Sequence, residues 1–207
     1  MRESVPAQFE AKKEKYLSIA ASILRQHSIP DELIYGIDET SCLFVQHAKK
    51  TRAPQGAKRV RLVGVGKDKS QITLTLGGSA SGRLLPVQYI FGGSTARCHP
   101  FSGKQAPPPD GSYFTHTQSH WQTPDSFREY IEKVIVPAKN AAIQKLGLDP
   151  TSQYTLLKLD LHYSHMDQIG STTLRDLLLL HKIVTLYVGN ACSWLHWHNT
   201  GVWYSTE

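Results

Sequence analysis

Two apolar runs in this chain each break off on a carboxylate, and that pairing restricts the fold more than any other feature. The first, "LIYGIDETS" at 33–41, passes from Leu33, Ile34, Tyr35 and Ile37 straight to Asp38 and Glu39. The second, "YTLLKLDLHYSH" at 154–165, reaches Asp160 after Leu156, Leu157 and Leu159. Apolar runs this short read as buried strands. If the two strands are parallel neighbours, both acids emerge at one sheet edge. Such an edge suits a hard cation such as Mg²⁺, which takes oxygen from one or two carboxylates and fills its shell with water or phosphate oxygens. Two ions about 4 Å apart serve phosphodiester cleavage and joining. The same acids would equally well close the turn after each strand; periodicity alone does not choose.

Between the two runs lie further strand signals at 59–65 ("RVRLVGV"), 71–80 ("QITLTLGGSA") and 83–93 ("RLLPVQYIFGG"). Ile72, Leu74 and Leu76 alternate with Gln71, Thr73 and Thr75, which predicts antiparallel pairing with one face buried, and "SASG" at 79–82 predicts a tight turn. Residues 94–120, with "PPPDG" inside, read as a long irregular loop. Thr123 is placed to cap a helix that carries Pro124 and Asp125 in its first turn and Phe127, Ile131, Val134 and Ile135 along one side. Pro137 must kink or interrupt that helix, and Gly147 stops it. A helix at roughly 167–181 then precedes an apolar strand at 183–188. Upstream, Phe9, Tyr16, Ile19, Ala20, Ile23 and Leu24 recur at helical spacing within 6–27. The order predicts an α/β domain: a mixed central sheet of antiparallel hairpin strands plus parallel strands, flanked by helices. The expected division is a helical lead-in at 1–30, the domain itself at 31–190, and an irregular tail at 191–207.

The chain carries a formal charge of +6, and much of the excess sits in "KKTRAPQGAKRVRLVGVGKDK" at 49–69, where Asp68 is the single acid. Lys58, Arg59, Arg61, Lys67 and Lys69 are candidates for contacts to a nucleic-acid backbone, which bind without reading bases. A solvated strand face would carry the same charges. No run approaches the roughly 18 apolar residues of a membrane span, and "MRESVPAQFEAKKEKY" has no apolar core of a signal peptide, so an intracellular protein with no membrane partner is expected. Cys42, Cys98 and Cys192, odd in number and widely spaced, read as reduced thiols.

"LIYGIDETS", "QGAKRVRLVGVGKDKSQITLTLGGSASGRLLPVQYIFGG", "HWQTPDSFREYIEKVIVPA" and "LLKLDLHYSHMD" together resemble, in order and spacing over residues 30–188, the DDE superfamily endonuclease domain of mariner/pogo-type transposases and of the centromere-protein-like genes derived from them. The resemblance implies a ribonuclease H-like fold, Asp38 and Asp160 as catalytic acids and metal ligands, two Mg²⁺ or Mn²⁺ ions, DNA as substrate and a nuclear location. It places Glu39 beside the first Asp, not as an essential ligand, and sets His162, Ser164 and His165 in the turn facing the metals, where for the histidines a supporting or core role stands beside direct ligation. Such transposases carry helix-turn-helix domains ahead of this one, and the residues before Leu33 have room for a single helix. Sequence-specific targeting is therefore expected to come from a partner or to be absent, with a homo-oligomer as a separate expectation.

The family's third acid follows the last core strand. This chain reads "YVGNACSWLHWHNTGVWYSTE" there, so that acid's place falls near His198 or Asn199, and no Asp or Glu follows Asp176 except Glu207. Loss of one of three carboxylates is expected to impair metal occupancy and cleavage. Cys192, His196 and His198 have the ligand types of a zinc site but no evident fourth ligand. A non-catalytic DNA-binding remnant, or a domesticated transposase module, is the competing reading; a hydrolase of another substrate class is a third, against which the basic run argues.

Overall fold

The computed structural model describes residues 9–44, 71–100, 111–167 and 171–188. Its strands are β1 (Ile34–Leu43), β2 (Gln71–Ser79), β3 (Gln88–Gly92), β4 (Tyr113–Thr117), β5 (Thr155–Asp160) and β6 (Ile183–Val188). They form one sheet in the order β4-β3-β2-β1-β5-β6. β1, β2 and β3 pair antiparallel, whereas β5 joins β1 in parallel and β6 joins β5 in parallel. The mixed sheet expected from the strand order is thus present. The strand expected at 59–65 and the basic residues Lys58, Arg59, Arg61, Lys67 and Lys69 lie outside the described residues.

Three details depart from the pattern reading. First, the stretch read as an irregular loop contains β4, which pairs in parallel with β3, Gln88 opposite Tyr113 and Gly92 opposite Thr117. "YFTHT" has a strand's composition, but five residues at a sheet edge give too short a period to stand out beside Pro and Gly. Second, the strand read at 83–93 begins only at Gln88; before it, the chain turns at Gly82 (φ +88°) and touches β2 through a single bridge from Leu84 to Gly78. Third, the threonines of β2 are the more buried set. Thr73 and Thr75 are 2 % and 0 % exposed, while Leu74 and Leu76 are half-buried. A central strand covered on both faces buries polar side chains wherever partners wait, and the Thr75 hydroxyl donates to Gln88 Oε1 at 3.0 Å.

Helices cover the sheet. α1 (Phe9–His27) puts Tyr16, Ala20, Ile23 and Leu24 into a cluster with Leu33, Leu156, Leu186 and Val188, and leaves Ile19 exposed. α2 (Pro124–Tyr130) begins at Thr123, whose hydroxyl accepts from the Ser126 N–H at 3.2 Å while Ser126 Oγ accepts from the Thr123 N–H at 2.9 Å. This reciprocal pair satisfies two end-of-helix donors. α3 (Val136–Leu146) continues the same rod through a π-helical turn, Ile131–Ile135. Pro137 explains the turn: it has no N–H to give, and its ring would strike the carbonyl one turn back, so widening the helix by one residue just before it removes the conflict without breaking the chain. Gly147, in the left-handed conformation (φ 64°), ends α3 as expected. α4 (Thr173–Leu180) starts later than the pattern suggested, with Asp167 accepting from the N–H groups of Leu174 and Arg175 at 2.8 and 2.9 Å.

The main core lies between β1, β5 and the helices. It joins Tyr35, Ile37, Leu157 and Leu159 with Phe127, Tyr130, Ile131, Val134, Ile135, Leu174 and Leu178. Gly77 of β2 is part of that packing: a Cβ there would stand 2.7 Å from Ile37 Cγ2 and 3.1 Å from Leu85 Cδ1. Gly77→Ala is therefore expected to destabilise the domain by about 1–3 kcal/mol through overpacking. Chemical denaturation checks this, and an unchanged midpoint would show that the core gives way more easily than the packing indicates.

Candidate metal centre at the ends of β1 and β5

Parallel pairing sets Ile34 beside Leu156, Tyr35 beside Leu157 and Gly36 beside Lys158. Two residues further along the two strands stand Asp38 and Asp160. Alternation alone would put the two aspartates on one face and Glu39 on the other, yet the carboxylate that shares the His165 ring with Asp160 is that of Glu39. Asp38 lies opposite Leu76 of β2, and its Oδ1 accepts the Glu39 N–H at 2.9 Å.

After Asp160 the chain makes a 3₁₀ turn, Tyr163–His165. His162, itself exposed, caps it: Nδ1 accepts the Ser164 N–H at 3.4 Å and lies 2.7 Å from the Ser164 hydroxyl. The turn carries His165 back beneath the strand ends, where it is wholly buried with its ring 4.6 Å from that of Phe127. His165 Nδ1 lies 3.1 Å from the Asp160 carbonyl oxygen and 2.9 Å from Asp160 Oδ1. Its Nε2 lies 2.8 Å from Glu39 Oε1 and 3.2 Å from Gln122 Oε1. All four neighbours are oxygens, an arrangement that favours donation from both ring nitrogens and so the protonated ring. Burial opposes that charge, but hydrogen bonds to Asp160 and Glu39 and the Glu39 carboxylate outweigh it and raise the pKa to about 10.

Gln122 is a residue that the pattern reading passed over. It is buried, its amide nitrogen donates to Thr75 Oγ1 at 3.1 Å and Gln88 Oε1 at 3.3 Å, and its Oε1 faces His165 and, at 3.5 Å, the Ser164 hydroxyl. It ties the hairpin strands, the start of α2 and the histidine turn into one network. A Gln directly before the Thr123 cap in "HWQTPDSF" was the only local signal. Lys158, two residues before Asp160 on the same face, is likewise buried. Its amine sits 5.9 Å from the centre of the Tyr16 ring, and burial lowers its pKa.

One donor atom from each of Glu39, Asp160 and His165 fits within 4.8 Å of the others. Two carboxylates suit Mg²⁺ or Mn²⁺, whereas an imidazolium has no lone pair to offer a metal. In its protonated form His165 is an orienting donor that holds Asp160 and Glu39, and an ion placed on it must first displace its proton. Among the described residues, the donors that the structure brings together at this edge are therefore those of Glu39, Asp160 and His165, and Asp38 is not in that group. His198 and Asn199, with the proposed place of a third acid, lie outside the described residues, as do Cys192 and His196.

No protein-family model matches this sequence, and no curated protein does. Solved structures do match. A pre-cleavage Mos1 transpososome aligns over 89 % of this chain and 44 % of its own, at 15 % identity and a TM-score of 0.50. Over the aligned part, the fold is like that of a mariner-type transposase. Two further Mos1 structures, the paired-end complex with left transposon end and the mariner paired-end complex with Mg, align at 13 % and 16 % identity over 94 % and 92 % of this chain, with TM-scores of 0.48 and 0.47. They are covered over 46 % and 45 % of their own length, so the chain spans less than half of the mariner transposase it matches. Identity this low speaks for the mariner-like, ribonuclease H-like α/β fold. The chemistry must be argued from the residues of this chain.

Proposed function

We propose that this chain is a transposase-derived domain that acts on DNA, with Asp38 and Asp160 as the ligands of a catalytic divalent cation, Mg²⁺ or Mn²⁺. One observation carries the reading: two apolar strands 122 positions apart in the sequence are parallel neighbours, in register, and each presents an aspartate at the same edge. A mariner-like fold with two acids at that edge supplies two of the three carboxylates that DDE chemistry uses. When bound, the cation supplies Lewis-acid stabilisation of the charge that develops on phosphate oxygens. The chain supplies the rest. Asp38 and Asp160 provide oxygen ligands, His165 holds Asp160 through Nδ1 and Glu39 through Nε2, and Gln122 keeps the histidine ring in place. The basic residues of 49–69 contribute attraction for the DNA backbone.

A second reading has its own observation. No Asp or Glu stands between Asp176 and Glu207, the stretch that holds the expected place of the third acid, and a DNA-binding module without cleavage would have the same sheet and the same charge. Nicking of supercoiled plasmid by the purified chain in Mg²⁺ or Mn²⁺ separates the two. Cleavage is expected, and Asp38→Ala and Asp160→Ala are each expected to reduce it at least about a hundredfold, the scale of losing several kcal/mol of charge stabilisation. Plasmid that stays intact but is retarded on a low-salt gel would overturn the catalytic reading and leave the binding one. Plasmid neither cut nor retarded would sink both.

A further inference from the structure

A second cluster of metal-binding side chains shares no residue with the acidic one. The short 3₁₀ turn Ala96–Cys98, which follows β3, and the residue that closes it carry Cys98 and His99. His116 belongs to the edge strand β4, opposite Phe91 in the parallel register. One donor atom from each of the three comes within 4.8 Å of the others, and all three side chains are half-buried. His99 Nε2 and His116 Nδ1 are 3.2 Å apart, with their ring centres 5.1 Å apart and the planes at 63°.

From this geometry we propose that Cys98, His99 and His116 bind a zinc ion, with the fourth position left for water or another ligand. Zn–N bonds of about 2.0–2.1 Å at tetrahedral angles put two ligand nitrogens roughly 3.3 Å apart, which is the spacing that His99 and His116 already have. One thiolate and two imidazoles are a zinc-type donor set and a poor one for Mg²⁺, so this site and the carboxylate edge select different metals. Cys98 binds as the thiolate, its proton passing to solvent.

The surroundings give the ion a structural task. Cys98 is packed so closely on Gly93 that a Cβ on that glycine would lie 2.9 Å from Cys98 Cβ, and the His99 ring rests 5.7 Å from that of Phe91. Cys98 also lines a cavity of about 650 Å³ with Phe44, Ile72, Tyr89, Phe91 and Phe114. An ion on these three residues pins the turn after β3 to β4, one of the two edge strands among the described residues. It would stiffen one wall of the cavity.

Cobalt substitution reads the site directly. The purified full chain, stripped of metal and titrated with Co²⁺, is expected to bind one equivalent with a thiolate-to-cobalt absorption band and the intense visible bands of tetrahedral coordination. Zinc is expected to displace it and to raise the melting temperature. Cys98→Ser should abolish the thiolate band, His116→Ala should abolish tetrahedral binding, and Cys42→Ser and Asp160→Asn should leave both unchanged. Weak octahedral spectra alone, or a thiolate band that survives Cys98→Ser, would overturn the proposal and reduce the His99–His116 contact to a hydrogen bond. Because Asp160→Asn disables the other site, failure here is distinguishable from failure of the DNA reading.

Discussion

Replacing His165 with alanine is expected to lower the unfolding free energy by roughly 2–4 kcal/mol at pH 7. Breaking a fully buried ion pair by removing one partner costs about 3–5 kcal/mol, because the remaining charge stays behind without compensation. Here the histidine is wholly buried and the Glu39 side chain is 16 % exposed, but that of Asp160 is 38 % exposed and recovers part of its solvation, so the expected cost is lower. The ring also packs on Phe127, and its loss opens a gap there. The pH dependence identifies the cause. In the folded chain the His165 pKa is raised to about 10, above the ordinary value of 6.5. The folded state therefore binds the proton more tightly than the unfolded state. The resulting stability is complete below about pH 6.5 and is lost as the pH rises toward about 10. Urea melts of the metal-free protein between pH 6 and 10 should show a decline in the parent that is absent from His165→Ala. Parallel declines in the two proteins would mean that the ring is neutral and the proton assignment wrong.

Phe127→Ala is expected to cost about 3–5 kcal/mol, the range for deleting a buried aromatic ring. For a domain of this size that is a fall in melting temperature of roughly 6–20 °C. Phe127 is 0 % exposed and bridges two things: the aliphatic side chains of β1 and β5 on one hand and the His165 ring on the other. Two consequences should follow. Phe127→Leu, which keeps most of the volume, should cost much less. The double variant with His165→Ala should fall short of the sum of the single effects, because residues in contact couple by about 0.5–3 kcal/mol. Strict additivity, measured by calorimetry on the four proteins, would show that the two rings do not support each other.

These expectations rest on contacts of very different visibility in the sequence. The acids Asp38 and Asp160 stand out because they end apolar runs, and the Thr123 cap and Gly147 stop because their chemistry acts within one helical turn. Each of those signals is local, carried by residues within a few positions of one another, so the chain order alone exposes them. Even the π-turn before Pro137 follows from one residue and the carbonyl it would strike.

The sequence by itself determined the mixed α/β class, the strands that end in acids, and the helix that begins at Thr123. Only the tertiary structure decided what those acids face. Glu39 and His165 are 126 positions apart and meet because β5 pairs with β1 and the turn after Asp160 folds under α2. The same assembly made Gln122 a linchpin, sent the threonines of β2 inward, and brought Cys98 and His99 against His116. The physical reason is that a polar side chain's place is set by which partner waits on the facing element, and the spacing of its own segment carries no record of that partner.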